Sequence, residues 1–233
     1  MKVCCIGDIH GTDKFLKCYQ DILDKDNDCE KIIVFGDHFD PYEYFTIDEM
    51  VEKYNKFSDI LEKDERIISL LGNHDLSYYI IQYDKTNRTH TMKGASKITE
   101  CIKSNLDKSY LVYKINDWLF SHAGVSQEWY DHKNKWFPNS IEKILTNKKG
   151  WTESELTQLV CWYDGDFSGY GNDTMQGCTW IRPSALCLTP FGDYNQVVAH
   201  TRVDEITKLW MDNGKDLWLI DTCGKPNYLV LDI

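Results

Sequence analysis

Three times before residue 76 the chain runs through a short apolar segment, meets a glycine, and then presents acidic, amide or imidazole side chains. The apolar runs are Val3-Cys4-Cys5-Ile6, Lys31-Ile32-Ile33-Val34-Phe35 and Ile67-Ile68-Ser69-Leu70-Leu71. The clusters that follow are Gly7-Asp8-Ile9-His10-Gly11, Gly36-Asp37-His38-Phe39-Asp40 and Gly72-Asn73-His74-Asp75. Helical patterns separate the runs. One covers 13–25, capped by Thr12, with Phe15, Leu16, Tyr19, Ile22 and Leu23 on one stripe; the other covers 46–62. Strand–helix–strand alternation predicts a parallel sheet with helices on its faces. In such sheets functional groups collect at the carboxyl ends of the strands. The three clusters are therefore expected to converge on one edge.

The rest of the chain is less regular. Residues 76–106 read as polar and largely helical, with a loop near 84–90. Strands are expected at 110–113 and 118–120, the second ending in Ser121-His122-Ala123-Gly124. Short helices at 126–130, 141–145 and 152–160 form an insert, about 126–178, rich in Trp129, Tyr130, Trp136, Trp151, Trp162 and Tyr163. Its aromatic side chains read as core and lid packing. Residues 164–177, with their glycines, read as a loop bordering a pocket. A strand at 196–199 ends in His200-Thr201-Arg202. Three further strand patterns, 206–211, 217–220 and 228–231, are separated by turns and read as an antiparallel meander. A parallel half joined to an antiparallel half gives an α/β (α+β) fold class, with two packed sheets sandwiched by helices. At this length the chain is expected to be one domain, 1–233.

Charge narrows the function. Asp and Glu number 37 against 26 Lys and Arg, a net of -11. That argues against a general nucleic-acid groove, but not against a small anionic substrate, since bound metal ions reverse the local field. Nine cysteines is an odd number, with no CxxC pair. Reduced, mostly buried thiols are expected rather than a disulfide framework. No stretch is long enough to cross a bilayer, and no charged-then-apolar leader precedes the first strand pattern. The expected compartment is cytoplasmic, with no membrane partner.

The groups at strand ends are Asp8, His10, Asp37, Asp40, Asn73, His74, His122 and His200. Oxygen and imidazole ligands without thiolate suit Mn, Fe, Zn or similar ions. Two ions about 3.5–4 Å apart make a hydrolytic site in which a shared water is held as hydroxide and attacks phosphorus in line. Asp37, on the middle strand end, is the expected bridge. Asp8 and His10, two residues apart in extended chain, chelate one ion from one side. Asn73, His122 and His200 close around the other. His74 is expected to protonate the leaving oxygen, with Asp40 orienting it and keeping it charged. Arg182 would clamp a phosphate oxygen with its planar fork. Taken singly, these residues have ordinary readings: Asp8 and Asp37 as helix caps, His122 and His200 as core histidines, Arg182 in a surface salt bridge. Five strands each ending in a ligand type favour the joint reading. His38, His90 and His132 lack that setting and stay with the ordinary one.

These pieces, in this order, resemble the calcineurin-like metallophosphoesterase superfamily. Trp180-Ile181-Arg182-Pro183 and Ile220-Asp221-Thr222-Cys223-Gly224 are similar to segments of the small bacterial and phage phosphoprotein-phosphatase-like branch. That branch includes Ser/Thr protein phosphatases and diadenosine tetraphosphatases. The resemblance implies a four-layer β-sandwich flanked by helices. It implies two metal ions, Mn or Fe with Zn a further candidate, held by Asp8, His10, Asp37, Asn73, His122 and His200. It gives His74 and Asp40 as the acid pair and Arg182 as a phosphate contact. The sequence departs from the branch at Pro41-Tyr42, where an arginine and a glycine are usual, and at Leu71, where an arginine is frequent. Asp75 stands where protein phosphatases proper carry glutamate, and Arg202 where many superfamily members carry a second histidine.

The reading that follows is a metal-dependent phosphoesterase acting on phosphate monoesters, phosphoprotein among them. The alternatives are hydrolysis of a dinucleoside polyphosphate or other nucleotide, and a non-catalytic scaffold on the same fold.

Overall fold

A computed structural model describes residues 1–43, 45–80, 95–160 and 171–233. The expected loop at 84–90, with His90, lies outside these residues, as do Trp162, Tyr163 and the start of the 164–177 loop.

The first sheet is assembled as the alternation requires. β1 (Lys2–Ile6), β2 (Lys31–Val34), β3 (Ile67–Leu70) and the short β4 (Ser109–Tyr110) run parallel in that order. Both faces of these strands are buried, and successive side chains serve opposite cores. Cys4, Ile6, Ile32 and Val34 point into a cluster with Phe15, Met50, Phe57 and Ile98. These partners come from α1 (Lys14–Lys25), α2 (Ile47–Lys63) and α4 (Ala95–Asn105). Val3, Cys5, Ile33, Phe35, Ile68 and Leu70 point the other way, against Ile115, Phe120, Val197, Ala199 and Ile220 of the second sheet.

Local signals explain the helix starts. At α2, Thr46 Oγ1 accepts from Glu49 N at 3.3 Å and the Glu49 carboxylate accepts from Thr46 N at 2.7 Å, a reciprocal cap. α1 begins at Lys14 with Asp13 at its N-cap and no side-chain cap, so the expected Thr12 cap is displaced by one residue; Thr12 instead accepts from Lys14 N at 3.2 Å from just outside the helix.

The second sheet has the order β5 (Val112–Ile115), β6 (Trp118–Ser121), β7 (Asn195–Arg202), β9 (Asp216–Asp221), β8 (Thr207–Trp210). Both sheets are mixed, which corrects the expected division into a parallel half and an antiparallel half. In the second, β6–β7 and β7–β9 are parallel and the outer pairs antiparallel. The expected terminal meander is likewise only a hairpin of β8 and β9. The last strand, β10 (Leu229–Asp232), crosses to the first sheet and pairs antiparallel with β1. Its alternation provides the reason: Leu229 and Leu231 are buried between the sheets while Val230 and Asp232 face out. The expected strand at 110–113 is also divided, because the chain changes sheets at Leu111, between β4 and β5.

Helices α5 (Gln127–Trp136), α6 (Pro138–Leu145) and α7 (Glu153–Val160) pack with Val112 and Leu119 on the outer side of the second sheet. Trp129 and Trp151 are buried in that cluster, as the packing reading expects; Trp136 is exposed. The layers are thus helix, sheet, sheet, helix. No helix among the described residues is long and apolar enough to cross a membrane, and the eight described cysteines are free thiols. Phe120, fully buried between the sheets, gives a test of that interface. Phe120→Ala is expected to destabilise the chain by about 3–5 kcal/mol, read as a lowered urea midpoint with secondary structure retained in water.

Candidate active site

The parallel order β1-β2-β3 brings three carboxyl ends to one edge, and β6 and β7 bring theirs from the facing sheet. The donor atoms of Asp8, His10 and Asp37 lie within 4.8 Å of one another, as do those of Asp37, His122 and His200. Asn73 Oδ1 is 2.8 Å from His122 Nε2. All six predicted ligands are therefore gathered, and Asp37 belongs to both trios. All six are buried.

The backbone is bent to achieve this. Seven non-glycine residues among those described have positive φ, and four of them are predicted site residues: His10, Asp37, Asp40 and His200. Such conformations are disfavoured by roughly 1–3 kcal/mol each and concentrate at functional sites. At His200 the cause is visible. The β7–β9 register shifts between Val198 and Arg202, and a bulge there re-aims the side chain. Gly36, at φ +86°, passes so close to Gly72 that a Cβ on Gly36 would overlap the Gly72 backbone nitrogen. A Cβ at Gly72 would overlap the Asp37 carboxylate. Gly72→Ala is therefore expected to keep the fold but to weaken metal uptake by about tenfold or more, measured by titrating Mn into the variant.

Hydrogen bonds fix how the ligands face. His122 Nδ1 is 2.8 Å from Phe35 O, and His10 Nδ1 is 2.9 Å from Asp40 O. Each Nδ1–H donates to a backbone carbonyl, so each Nε2 lone pair is turned inward. His122 Nε2 faces Asn73 Oδ1 at 2.8 Å; burial disfavours the His122 charge, but Asp37 and Asp8 outweigh it and raise the imidazole to about 10, so without an ion a proton sits on Nε2 where a cation would replace it. His200 Nε2 is buried without a partner among the described residues. Burial pushes the Asp8 carboxyl well up and the His200 imidazole well down. For Asp37 burial acts the same way, but the charges of His122 and His74 outweigh it and hold the carboxyl well below its usual range. A cation between these groups would relieve both the buried lone pairs and the buried carboxylates. The residues present thus fit a pair of oxygen- and nitrogen-liganded ions.

Beside the trios, Asp40 Oδ2 accepts from His74 Nδ1 at 2.8 Å, and His74 N donates to Asp37 Oδ1 at 2.9 Å. Burial disfavours the His74 charge, but the Asp37 charge and the Asp40 hydrogen bond outweigh it and lift the imidazole to about 9. Asp40 is fully enclosed while His74 keeps one fifth of its side chain exposed. A charged, partly open imidazole held by a closed carboxylate can donate a proton outward. Arg182 Nη1 donates to His200 O at 3.0 Å and Thr201 Oγ1 at 3.1 Å, which sets its guanidinium next to the second trio.

Three neighbours escaped the sequence reading. Asp75 accepts from the backbone N–H of Asp37 at 2.8 Å, His38 at 2.8 Å and Gly72 at 3.0 Å, tying the second and third clusters together. Burial and the Asp37 charge raise its carboxyl to about 7. In the sequence, its place two residues after Asn73 signals only a departure from glutamate. Tyr78 donates to Asp40 Oδ1 at 2.5 Å; its spacing of four from His74 on α3 (Asn73–Tyr79) is the signal that was available. Tyr42 Oη lies 2.6 Å from His10 Nε2, a hydrogen bond that an ion on that nitrogen would displace. His38 is a buried ring with its centroid 4.4 Å from that of Phe57, and burial pushes its pKa down to about 3; its Nε2 has no hydrogen-bond partner among the described residues, but it belongs to neither donor trio. His132 lies on α5, away from the strand ends.

Residues 1–173 match the family profile described as calcineurin-like phosphoesterase. That span includes every predicted ligand except His200. No curated protein matches the chain. Among solved structures, a cold-active protein-tyrosine phosphatase of a psychrophilic Shewanella species aligns with TM-score 0.60 and 20% identity, over 99% of this chain and 75% of that one. A protein serine/threonine phosphatase from Saccharomyces cerevisiae aligns with TM-score 0.50 and 14% identity, over 95% of this chain and 67% of that one. At these identities the likeness concerns the fold.

Proposed function

The chain belongs to the calcineurin-like phosphoesterase family, and on that premise we propose that it is a metal-dependent hydrolase of phosphate monoesters, phosphoproteins included. One observation carries the reading: two buried donor trios share Asp37 beside a hydrogen-bonded Asp40–His74 pair. Asp8, His10 and Asp37 would hold one ion, and Asp37, Asn73, His122 and His200 the other. When bound, two such ions supply Lewis acidity toward the phosphoryl oxygens and an activated water; Mn or Fe suits the donors.

The chain's own residues do the rest. Arg182 binds and orients the phosphoryl group, its fork steadied by His200 O and Thr201 Oγ1. As the new P–O bond forms from water and the ester P–O bond breaks opposite it, His74 gives its proton to the departing oxygen. Asp40 fixes the His74 ring through Nδ1 and stabilises its charge until that transfer, and Tyr78 locks Asp40 in turn. Phosphate and an alcohol leave; no phospho-enzyme forms. The free, mostly buried thiols fit a reducing, cytoplasmic setting.

The test is a substrate panel with Mn-reconstituted protein: p-nitrophenyl phosphate, a phosphoserine peptide, a phosphotyrosine peptide and diadenosine tetraphosphate. Turnover of the monoesters well above that of the dinucleotide is expected. Preference for diadenosine tetraphosphate would move the substrate to nucleotides. Metal-free protein unable to take up Mn, or loaded protein that releases no phosphate from any of the four, would overturn the enzymatic reading in favour of a scaffold.

A further inference from the structure

Two guanidiniums stand at the mouth of the site without a carboxylate partner. Among the described residues no Asp or Glu lies within ion-pair distance of Arg182 or Arg202, whereas Arg66 is paired with Asp64 at 2.6 Å. In a chain with 37 acids and 26 bases, two arginines near the site without an ion pair are not what charge alone would give.

Arg202 is held in place by an aromatic ring instead. Its guanidinium carbon lies 3.5 Å from the centroid of Tyr42. Tyr42 Oη lies 2.6 Å from His10 Nε2, the atom a bound ion would take, with the two rings 4.3 Å apart. One phenol ring therefore separates Arg202 from the first ligand trio. Arg202 also hydrogen-bonds Tyr42 through its side chain, and stacking on one face leaves a guanidinium's other in-plane N–H donors accessible. Arg202 also follows His200 by two residues at the end of β7, so the bulge that aims the ligand places the arginine. The groove beyond it, about 510 Å3, is lined in part by Asp204 and Glu205, which would repel any additional phosphate.

We propose that Tyr42 and Arg202 form a phosphoryl-binding arm: Tyr42 holds the guanidinium by its face, and Arg202 grips the non-reacting oxygens of the substrate opposite Arg182. The arm rests on the phosphoesterase reading above and sharpens its substrate class. Two guanidiniums match the charge of a terminal phosphoryl group, about -2 at neutral pH. A diester carries half that charge and offers fewer free oxygens, and a longer polyphosphate would meet the acidic groove.

The experiment compares wild type, Arg202→Ala, Arg202→Lys, Tyr42→Leu and Tyr42→Phe as Mn-reconstituted full chains. It reads metal content, inorganic phosphate affinity by calorimetry, and KM and kcat on p-nitrophenyl phosphate and bis(p-nitrophenyl) phosphate. Arg202→Ala is expected to weaken phosphate binding and raise the monoester KM by about tenfold or more. Metal content should be retained, kcat should change far less than KM, and the preference for monoester over diester should fall. Arg202→Lys should recover little, because an ammonium has no flat face or fork. Tyr42→Leu should reproduce most of the loss and Tyr42→Phe a smaller part. Wild-type phosphate affinity and KM in Arg202→Ala, with the parent enzyme active, would overturn the arm alone. Lost metal in Arg202→Ala would also overturn it, making the arginine a support of the ligands. A parent chain that neither binds phosphate nor hydrolyses the monoester would instead remove the phosphoesterase reading on which the arm rests.

Discussion

Asp37→Asn is expected to lower metal uptake from two ions per chain to one at most, and to reduce kcat/KM on p-nitrophenyl phosphate by about 10³-fold or more. Asp37 is the one carboxylate common to both donor trios. Its side chain is almost wholly enclosed, so no solvent substitutes for the lost charge. Asparagine keeps the size and an oxygen that can accept from His74 N, the bond now measuring 2.9 Å. The fold should therefore survive. The metal-free chain should lose some stability, because the His122 and His74 charges outweigh burial and favour the ionised carboxyl at this position. Metal analysis after dialysis, beside a thermal melt, separates the outcomes. Two retained ions with full activity would show that the trios do not share a bridging ligand.

His74→Ala should have the next largest effect, and one that depends on the leaving group. A phosphoserine peptide leaves as an alkoxide that needs a proton, and its kcat should fall by about 10²–10⁴-fold. p-Nitrophenolate departs without one and should lose far less. Asp40→Asn keeps the ring's neighbours but removes the charge that holds it. Its loss on the peptide should be smaller, about 10–100-fold. Equal losses on both substrates would assign His74 to binding or structure rather than proton donation. Untouched turnover of the peptide would remove it from the chemistry.

How far the sequence could be read depends on what each feature rests on. The first sheet was legible because glycine, apolar runs and amphipathic helices are local, and a parallel sheet follows from their alternation. The gathering of Asp8, Asp37 and Asn73 follows from the same rule, since adjacent parallel strands end on one edge. His122 and His200 were legible only as ligand types at strand ends; the register of two sheets against each other is not written in any local pattern. The same limit explains β10. A turn before it suggests a hairpin, but burial of Leu229 and Leu231 between the sheets outweighs the nearest pairing. The passage from β4 to β5 looks like one strand in the sequence because a sheet change interrupts hydrogen bonding, not hydrophobicity. Asp75, Tyr78 and Tyr42 act through contacts with backbone or with other side chains. Only the spacing of Tyr78 from His74 hinted at any of them.

The central claim is that side chains from five strand ends hold two cations between them through Asp37. Anomalous diffraction from a crystal of the Mn-reconstituted chain tests it most directly. The account predicts two Mn peaks about 3.5–4 Å apart, both bonded to Asp37, one flanked by Asp8 and His10 and the other by Asn73, His122 and His200. A single peak, or Mn bound only at surface carboxylates with these side chains unliganded, would contradict it.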